Sequence, residues 1–579
     1  MFTRERAEER WLANSMELTG GWASELVWIN DELWIAWASC DDPESEMVLP
    51  QTGSKTNDTR WTLKKEYSLS QWRDISSEIM FSVSLGKITD GGIKNIQQIS
   101  AGTCSTGGFA IVSIPNQSKP VVLWEERRSH GSVILVNMGD GRNETISDSP
   151  GAKLGLRASS DADGNIRAVW QQWDGQSEGE YIPPRIATST KNFFTNKAWS
   201  KEGFISSNKY SAWSPAITHD DSGGTWCAWD AWDGITYQIF ARYAANEGTF
   251  GKPIQVTETT FVPYLNFGVD IVANANKAWV VWSRTTEWGT INHRLNHMKT
   301  LHAKTLQLDD QGELVANFPN GKVVQGQPGQ LPVVPIPFIF LQEPEFINPQ
   351  TPRVYLDADE NPVVFYRQHR RMIGDRDWGW SVCSIRNNGN DWTAPLRLTE
   401  HYGFPDTRYS LAPTAHNETW IIAAHAAEPP TNQNGHNPIK NHRLIIEELR
   451  VGYGSDNEQP GVHATFSKPN VPQGIPNIPD KMNKDTLLDN HLKNTSGGNT
   501  YDLLYGDLHR HTAYSKCMSS VDGDPLDQYR WAHDVEELDF YAITEHLEFM
   551  SYLEWRLVDD LTERLSDNRK VIVLHGFEL

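Results

Sequence analysis

A chain of 579 residues is too long for one ordinary core; at roughly 150 residues per domain it corresponds to about three or four domain equivalents, or to one large repeat domain with a smaller companion. Only 38% of its residues are apolar, yet 24 Trp, 17 Tyr and 20 Phe supply large side chains to bury, which excludes a disordered polymer. The formal charge of −22 excludes general affinity for nucleic acid or an anionic membrane, because like charge opposes encounter with a polyanion.

The N-terminal segment, residues 1–21, carries charges throughout its first ten positions and no apolar run of signal-peptide length. No stretch of the chain approaches the ~18 apolar residues that a spanning helix requires. The expectation is a soluble protein with no visible export signal; the compartment stays open, and the periplasm or cell exterior is compatible if residues are missing ahead of Met1. The five cysteines, Cys40, Cys104, Cys227, Cys383 and Cys517, form no C-x-x-C pair and outline neither a disulfide framework nor a cysteine-rich zinc module.

From residue 22 to 451 one short pattern recurs: an aromatic or aliphatic residue, two small or β-branched residues, then an aromatic. It reads WIAW ending at Trp37, VVLW at Trp124, RAVW at Trp170, WCAW at Trp229, WVVW at Trp282, VVFY at Tyr366 and WIIA from Trp420. Four of the six steps lie between 46 and 59 residues, the scale of a propeller blade, and the two longer steps leave room for a degenerate blade or an insertion. Asp/Gly/Asn clusters at 161–165, 220–224 and 357–361 precede several copies and suit tight reversals between strands. Tryptophans three apart on a strand point to opposite faces, so a blade with W-x-x-W packs against both neighbours. These features predict an all-β propeller of six to eight blades, best counted as seven. Most of its tryptophans are expected between blades, while those beside carboxylates in QQWDG (171–175) and WDAWDG (229–234) are also candidates for stacking on sugar. The stretch resembles the six-bladed TolB-like and related Trp-rich propellers that precede catalytic domains in many bacterial proteins, a likeness of fold that assigns no activity.

Residues 452–500 are dominated by Pro, Asn, Gly and Asp without hydrophobic period, as expected of a linker. From 501 the pattern becomes strand, helix, strand, helix, strand. The first strand lies in YDLLYGDLHRHT (501–512), and Asp524 with Pro525 supplies a cap and first-turn proline for a helix through about Leu538. LDFYAITEH (538–546) is the second strand, Leu553, Leu557, Leu561 and Leu565 mark one face of a second helix, and KVIVLHGFEL (570–579) is the third strand. Such alternation argues for parallel strands in an α/β layer or barrel. Polar residues gather where each strand ends: His509 and His511, then Glu545 and His546, then His575 and Glu578. Histidines at i and i+2 on an extended segment face the same side, and imidazole with carboxylate suits zinc, manganese or iron. His533 and His575 are read as ordinary satisfied polar residues.

With G-D-L-H-x-H-T at 506–512, L-D-F-x-x-x-T-E-H at 538–546 and G-x-E at 576–578, this end of the chain resembles the opening of the PHP (polymerase and histidinol phosphatase) metal-dependent hydrolases. The resemblance covers residues 501–579. It implies His509, His511, His546 and Glu578 as ligands, with Asp507 and Glu545 supporting them from behind, in a distorted (β/α)7 barrel holding up to three divalent metals. Where the family commonly places an Asp or His ligand, Lys516 and Cys517 stand here; Cys517 as a thiolate, or Asp522 or Asp524, is the candidate substitute, the alternative being that one metal position is absent. Glu545 stands where Asp is usual. The family's later histidines and final D-x-H do not occur before Leu579, so the resemblance implies a truncated α/β domain and a fragment that does not form a competent site alone.

The expected function is metal-dependent hydrolysis of a small or polymeric phosphoester by the complete domain, with the propeller binding substrate or partner. Two rivals stand beside it. One is an amidohydrolase-type metal enzyme acting on C–N or C–O bonds; the other is a propeller that binds a glycan or protein ligand, with a vestigial hydrolase domain.

Overall fold

Each copy of the aromatic pattern forms the second strand of a four-stranded antiparallel sheet in the computed structural model of the protein. The structure describes residues 15–40, 81–100, 104–128, 131–173, 181–246, 248–257, 265–275, 277–285, 299–310, 312–317, 331, 349–370, 379–387, 392–399, 409–414, 419–428, 440–451, 494–496, 499–501, 504–515, 523–546, 550, 552–566 and 570–578. Seven sheets follow one another at residues 21–98, 104–147, 153–204, 212–255, 266–317, 349–397 and 410–450. The innermost strands of the first six sheets touch in succession, the sixth and seventh sheets pack through Phe365, Leu411 and Trp420, and the innermost strand of the first, Gly21–Ile29, touches that of the seventh, Ser410–Pro413. There Ser24 Oγ and Ser410 Oγ stand 2.7 Å apart. The sheets thus close into a seven-bladed propeller, one blade more than the TolB-like count. Among the described residues, neither long step in the repeat holds a further blade.

The strand Met16–Thr19 pairs antiparallel with Lys440–Arg450 and completes the seventh sheet. Residues 16–19 therefore belong to the last blade, whereas a separate N-terminal segment up to residue 21 was expected, and Gly21 already opens the first blade.

The paired tryptophans work as the pattern implies. Trp226 packs with Val269, Ile271 and Trp282 of the fifth blade, while Trp229 packs with Val169, Ile186 and Ile205 of the third. The Asp-rich turns share one geometry. Asp161 Oδ1 accepts from the backbone N–H of Asp163 and Asn165, Asp220 Oδ1 from Ser222 and Gly224, and Asp357 Oδ1 from Asp359 and Asn361, all at 2.8 to 2.9 Å. Bulges interrupt the inner strands at matching places, between Leu154 and Arg157, Trp213 and Ala216, Phe267 and Asp270, and Gln350 and Arg353. Each bulge holds a residue of positive φ: Gly155, Ser214, Gly268 or Thr351. These bulges bend the strands around one mouth of the ring.

The C-terminal unit is built on three parallel strands in the order Gly506–Arg510, Phe540–His546, Ile572–Glu578. The helix Pro525–Arg530 joins the first two; Asp524 caps it by accepting from Asp527 N at 2.7 Å, and a π-helical turn, Trp531–Val535, extends it. The helix Tyr552–Leu565 joins the last two and buries Leu553, Leu557, Leu561 and Leu565. The (β/α)7 barrel start is not shown: among the described residues the unit holds three parallel strands with two short α-helices between them, an α/β layer of the kind the alternation of elements implies. The expected linker lies outside the described residues apart from the strands Asn494–Ser496 and Asn499–Tyr501. Among the described residues no helix is long and apolar enough to cross a membrane.

The α/β unit sits on the propeller mouth, and one apolar cluster runs through both. Trp22, Phe109, Leu154, Trp173, Trp213 and Tyr237 from the blades meet Tyr529, Leu553, Leu557, Val558 and Leu561. Arg530, at the end of its helix, forms an ion pair with the fully buried Asp230 and lies over the rings of Trp213, Tyr237 and Phe267 at 4.4 to 4.9 Å. Burial works against the guanidinium charge, and the Asp230 carboxylate overrides it, holding Arg530 protonated. Four residues on, Asp534 Oδ2 accepts from Trp213 Nε1 at 2.8 Å and Tyr237 OH at 2.6 Å. Between the bulged strands and Pro525, Leu526, Leu557 and Leu561 lies a cavity of about 270 Å³.

Candidate metal centre

The sheet places its polar strand ends side by side. His546 and Glu578 are register partners on neighbouring parallel strands. The first strand pairs in register at Gly506 and Asp507, slips, and resumes at Arg510 opposite Ile543. The glycine of G-D-L-H is required at the start of that strand, since a Cβ on Gly506 would stand 2.3 Å from the carbonyl oxygen of Phe540. The slip then turns His509 and His511 toward Glu578.

Both imidazoles reach one carboxylate oxygen. His509 Nε2 and His511 Nε2 are each 2.8 Å from Glu578 Oε2, and the three groups offer ligand atoms within 4.8 Å of one another. The His546 ring centroid is 4.5 Å from that of His511, so the fourth expected ligand borders the cluster. His509 is largely exposed, His511 mostly covered and Glu578 intermediate. Burial lowers the pKa of His511 despite the Glu578 hydrogen bond, which favours the neutral imidazole that ligates. Desolvation of Glu578 is outweighed by hydrogen bonds from His511 and His509 and by the nearby His546, and its pKa is lowered. Two imidazole nitrogens and one carboxylate oxygen therefore stand close enough to share a divalent ion after shifts of under about an ångström.

Glu545 lies beneath this cluster, fully buried. Its carboxylate accepts from Thr512 N at 3.1 Å and from the hydroxyls of Thr512 and Ser515. Ser515 Oγ in turn accepts from His546 N at 3.1 Å. Glu545 thus ties the turn after His511 to the strand end bearing His546. Burial raises its pKa, against the hydrogen bonds of Ser515 and Thr512. Asp507 Oδ1 accepts from His509 N at 2.9 Å and braces the first histidine. Cys517 and Asp522 lie outside the described residues, and Asp524 serves as the helix cap.

His575 and His533 stay outside the cluster. His575 Nδ1 is 3.3 Å from Asp559 Oδ1, and its ring lies 3.9 Å from that of Trp555. His533 is buried at the propeller contact, with Nδ1 at 2.7 Å from Asp534 Oδ1 and Nε2 at 2.5 Å from the hydroxyl of Tyr181. Sequence reasoning had Thr512 within the 506–512 motif but gave neither it nor Ser515 a role, since only the fold brings their hydroxyls to Glu545. It also missed Arg530 and Asp534, whose charges read as ordinary helix surface.

No family model matches the chain, and no curated protein matches it. Among solved structures it is similar to an α-L-arabinanase of Penicillium chrysogenum complexed with arabinobiose, at 10% identity over 59% of this chain and 93% of that one, TM-score 0.33. An α-L-arabinofuranosidase of Fusarium graminearum with arabinobiose gives 9% identity over 59% and 92%, TM-score 0.34. A Hadza microbial sialidase gives 10% over 64% and 74%, TM-score 0.35.

Proposed function

We propose that His509, His511 and Glu578, with His546 beside them, hold a divalent cation of the zinc, manganese or iron kind, and that the protein is a metal-dependent hydrolase acting on a phosphoester. The observation that carries this reading is the convergence of two imidazole nitrogens on one carboxylate oxygen at the ends of parallel strands. A bound divalent ion supplies a water of pKa near about 7 and polarises a phosphoryl oxygen. The chain's own part is positional: Asp507 fixes His509, and Glu545 locks the turn carrying His511 against the strand carrying His546. The test is titration of metal-stripped full chain with Mn²⁺ or Zn²⁺, followed by hydrolysis of an aryl phosphate and an aryl amide. Replacing His509 and His511 together by Ala should abolish both cation binding and phosphoester turnover. Retention of both would sink the proposal, and turnover of the amide alone would favour an amidohydrolase-type reaction.

A second reading makes the propeller a glycan-directed body, as the arabinanase, arabinofuranosidase and sialidase are by name. It shares the hydrolase class and moves the substrate to the propeller. The mouth residues Trp173, Trp213, Asp230 and Tyr237 are engaged by the α/β unit, so a glycan would need another face, such as the exposed Phe194 and Phe204 of the third blade. Saturable binding of an arabino-oligosaccharide to protein that takes up no cation would favour this reading.

A further inference from the structure

The residue directly after the motif aromatic has a repeated job. In the third blade it is Gln171, which donates to the Ala212 carbonyl of the fourth; in the fifth it is Ser283, which donates to the Pro349 carbonyl of the sixth. In the second blade it is Glu125, which accepts from Leu156 N of the third at 2.9 Å. In these three blades the position stitches the blade to the inner strand of the next. Two copies are carboxylates with no exposure: Glu125 after Trp124, and Asp230 after Trp229.

Those two copies are the ones that meet the α/β unit. Asp230 takes Arg530, in the last turn of the helix Pro525–Arg530. Glu125 Oε2 takes Arg564 Nη1 at 3.2 Å, in the last turn of the helix Tyr552–Leu565. Each helix between the parallel strands thus ends in a buried arginine held by a buried propeller carboxylate, two blades apart. The second helix also holds the last strand, through Asp559 to His575, three residues ahead of Glu578.

We propose that the propeller mouth is a two-point docking socket for the chain's own α/β unit, written into the repeat by acidic residues at this one position of blades two and four, and that it positions the strand ends of the candidate metal centre. Both carboxylates are buried, so neither arginine is a casual surface pair; removing one partner leaves a charge stranded out of water. The positioning half rests on the function proposed above, whereas the docking half does not.

The experiment is a pair of double-mutant cycles on the full chain, Asp230→Asn with Arg530→Gln and Glu125→Gln with Arg564→Gln, read by thermal unfolding and by Mn²⁺ titration. Glu125→Gln keeps one acceptor for Leu156 N, and removes the charge and the second acceptor that Arg564 uses. Each single change should lower the melting temperature by about 2–4 °C or more, with each double variant falling no further than its worse single. If single variants fail to fold while their double folds, the same coupling is shown. Strict additivity in both cycles, or no shift in any variant, overturns the docking. The variant lacking both carboxylates should bind Mn²⁺ about tenfold or more weakly than wild type, and equal affinity overturns the positioning. A wild-type chain that takes no Mn²⁺ would sink the proposed function and leave the unfolding cycles to decide the docking.

Discussion

His546 and Glu578 face each other in register on adjacent parallel strands, while Glu578 also receives His509 and His511 from the strand on the far side of His546. One carboxylate is therefore the meeting point of all three strands. Glu578→Gln removes its charge with little change in shape and should weaken Mn²⁺ binding by more than about 100-fold, beyond what loss of an outer partner gives. Calorimetric titration checks this, and unchanged affinity would place the cation elsewhere.

Glu545 contacts no cluster nitrogen, yet it holds the turn after His511 and, through Ser515, the backbone of His546. Glu545→Gln replaces one acceptor oxygen with an amide that faces other donors. Cation affinity should fall by about 10–100-fold while the fold persists. Far-ultraviolet circular dichroism and calorimetry on the same sample separate the two outcomes.

Asp534 Oδ2 takes two donors from the fourth blade, Trp213 Nε1 and Tyr237 OH. Tyr237→Phe deletes the second and leaves a buried carboxylate short of a partner. The expected loss is about 1–3 kcal/mol, measurable by urea unfolding. A variant as stable as wild type would mean that the remaining donors suffice.

His533 is held neutral by burial, which depresses its pKa below 6.5 despite the pull of Asp534. The network assigns the proton to Nδ1, donated to Asp534, while Nε2 accepts from Tyr181. An unfolded histidine takes a second proton at about pH 6.5, whereas the folded one resists until lower pH. Its contribution to stability is therefore complete above pH 6.5 and is lost as pH falls from there through the folded value. Melting temperatures of wild type and His533→Gln between about pH 8 and about pH 5 should converge toward the acid end. Parallel curves would remove His533 from the balance.

The parts of the fold legible in the sequence were those with a local period. The aromatic pattern marks one strand per blade, and where it is W-x-x-W its two rings reach opposite blade interfaces, as Trp226 and Trp229 do. H-x-H was legible because extended geometry alone puts alternate residues on one side. The strand Met16–Thr19 was not, because its pairing is set by residues 443–446 at the other end of the ring and its own four residues carry no pattern. The three parallel strands and the helix bearing Leu553, Leu557, Leu561 and Leu565 were legible from the alternation of apolar runs, whereas the motifs describe strand ends and carry nothing about closure. Arg530 and Arg564 look like solvent-facing helix termini until Asp230 and Glu125 are known to be buried opposite them. Comparing the residue after the closing aromatic across the six copies that have one would have singled out those two carboxylates.

The pairing of Met16 with Ile446 has a consequence for how the protein comes into being. During synthesis the first strand emerges early and waits unpaired until nearly the whole ring has left the ribosome, so the seventh sheet cannot assemble in the order of translation. Six blades can stack as they appear, because their strands are neighbours in sequence. Closure is then a single late event with a large loop to bring together, which makes it slow. Until it happens, the strand Lys440–Arg450 presents an unpaired edge to every other nascent chain.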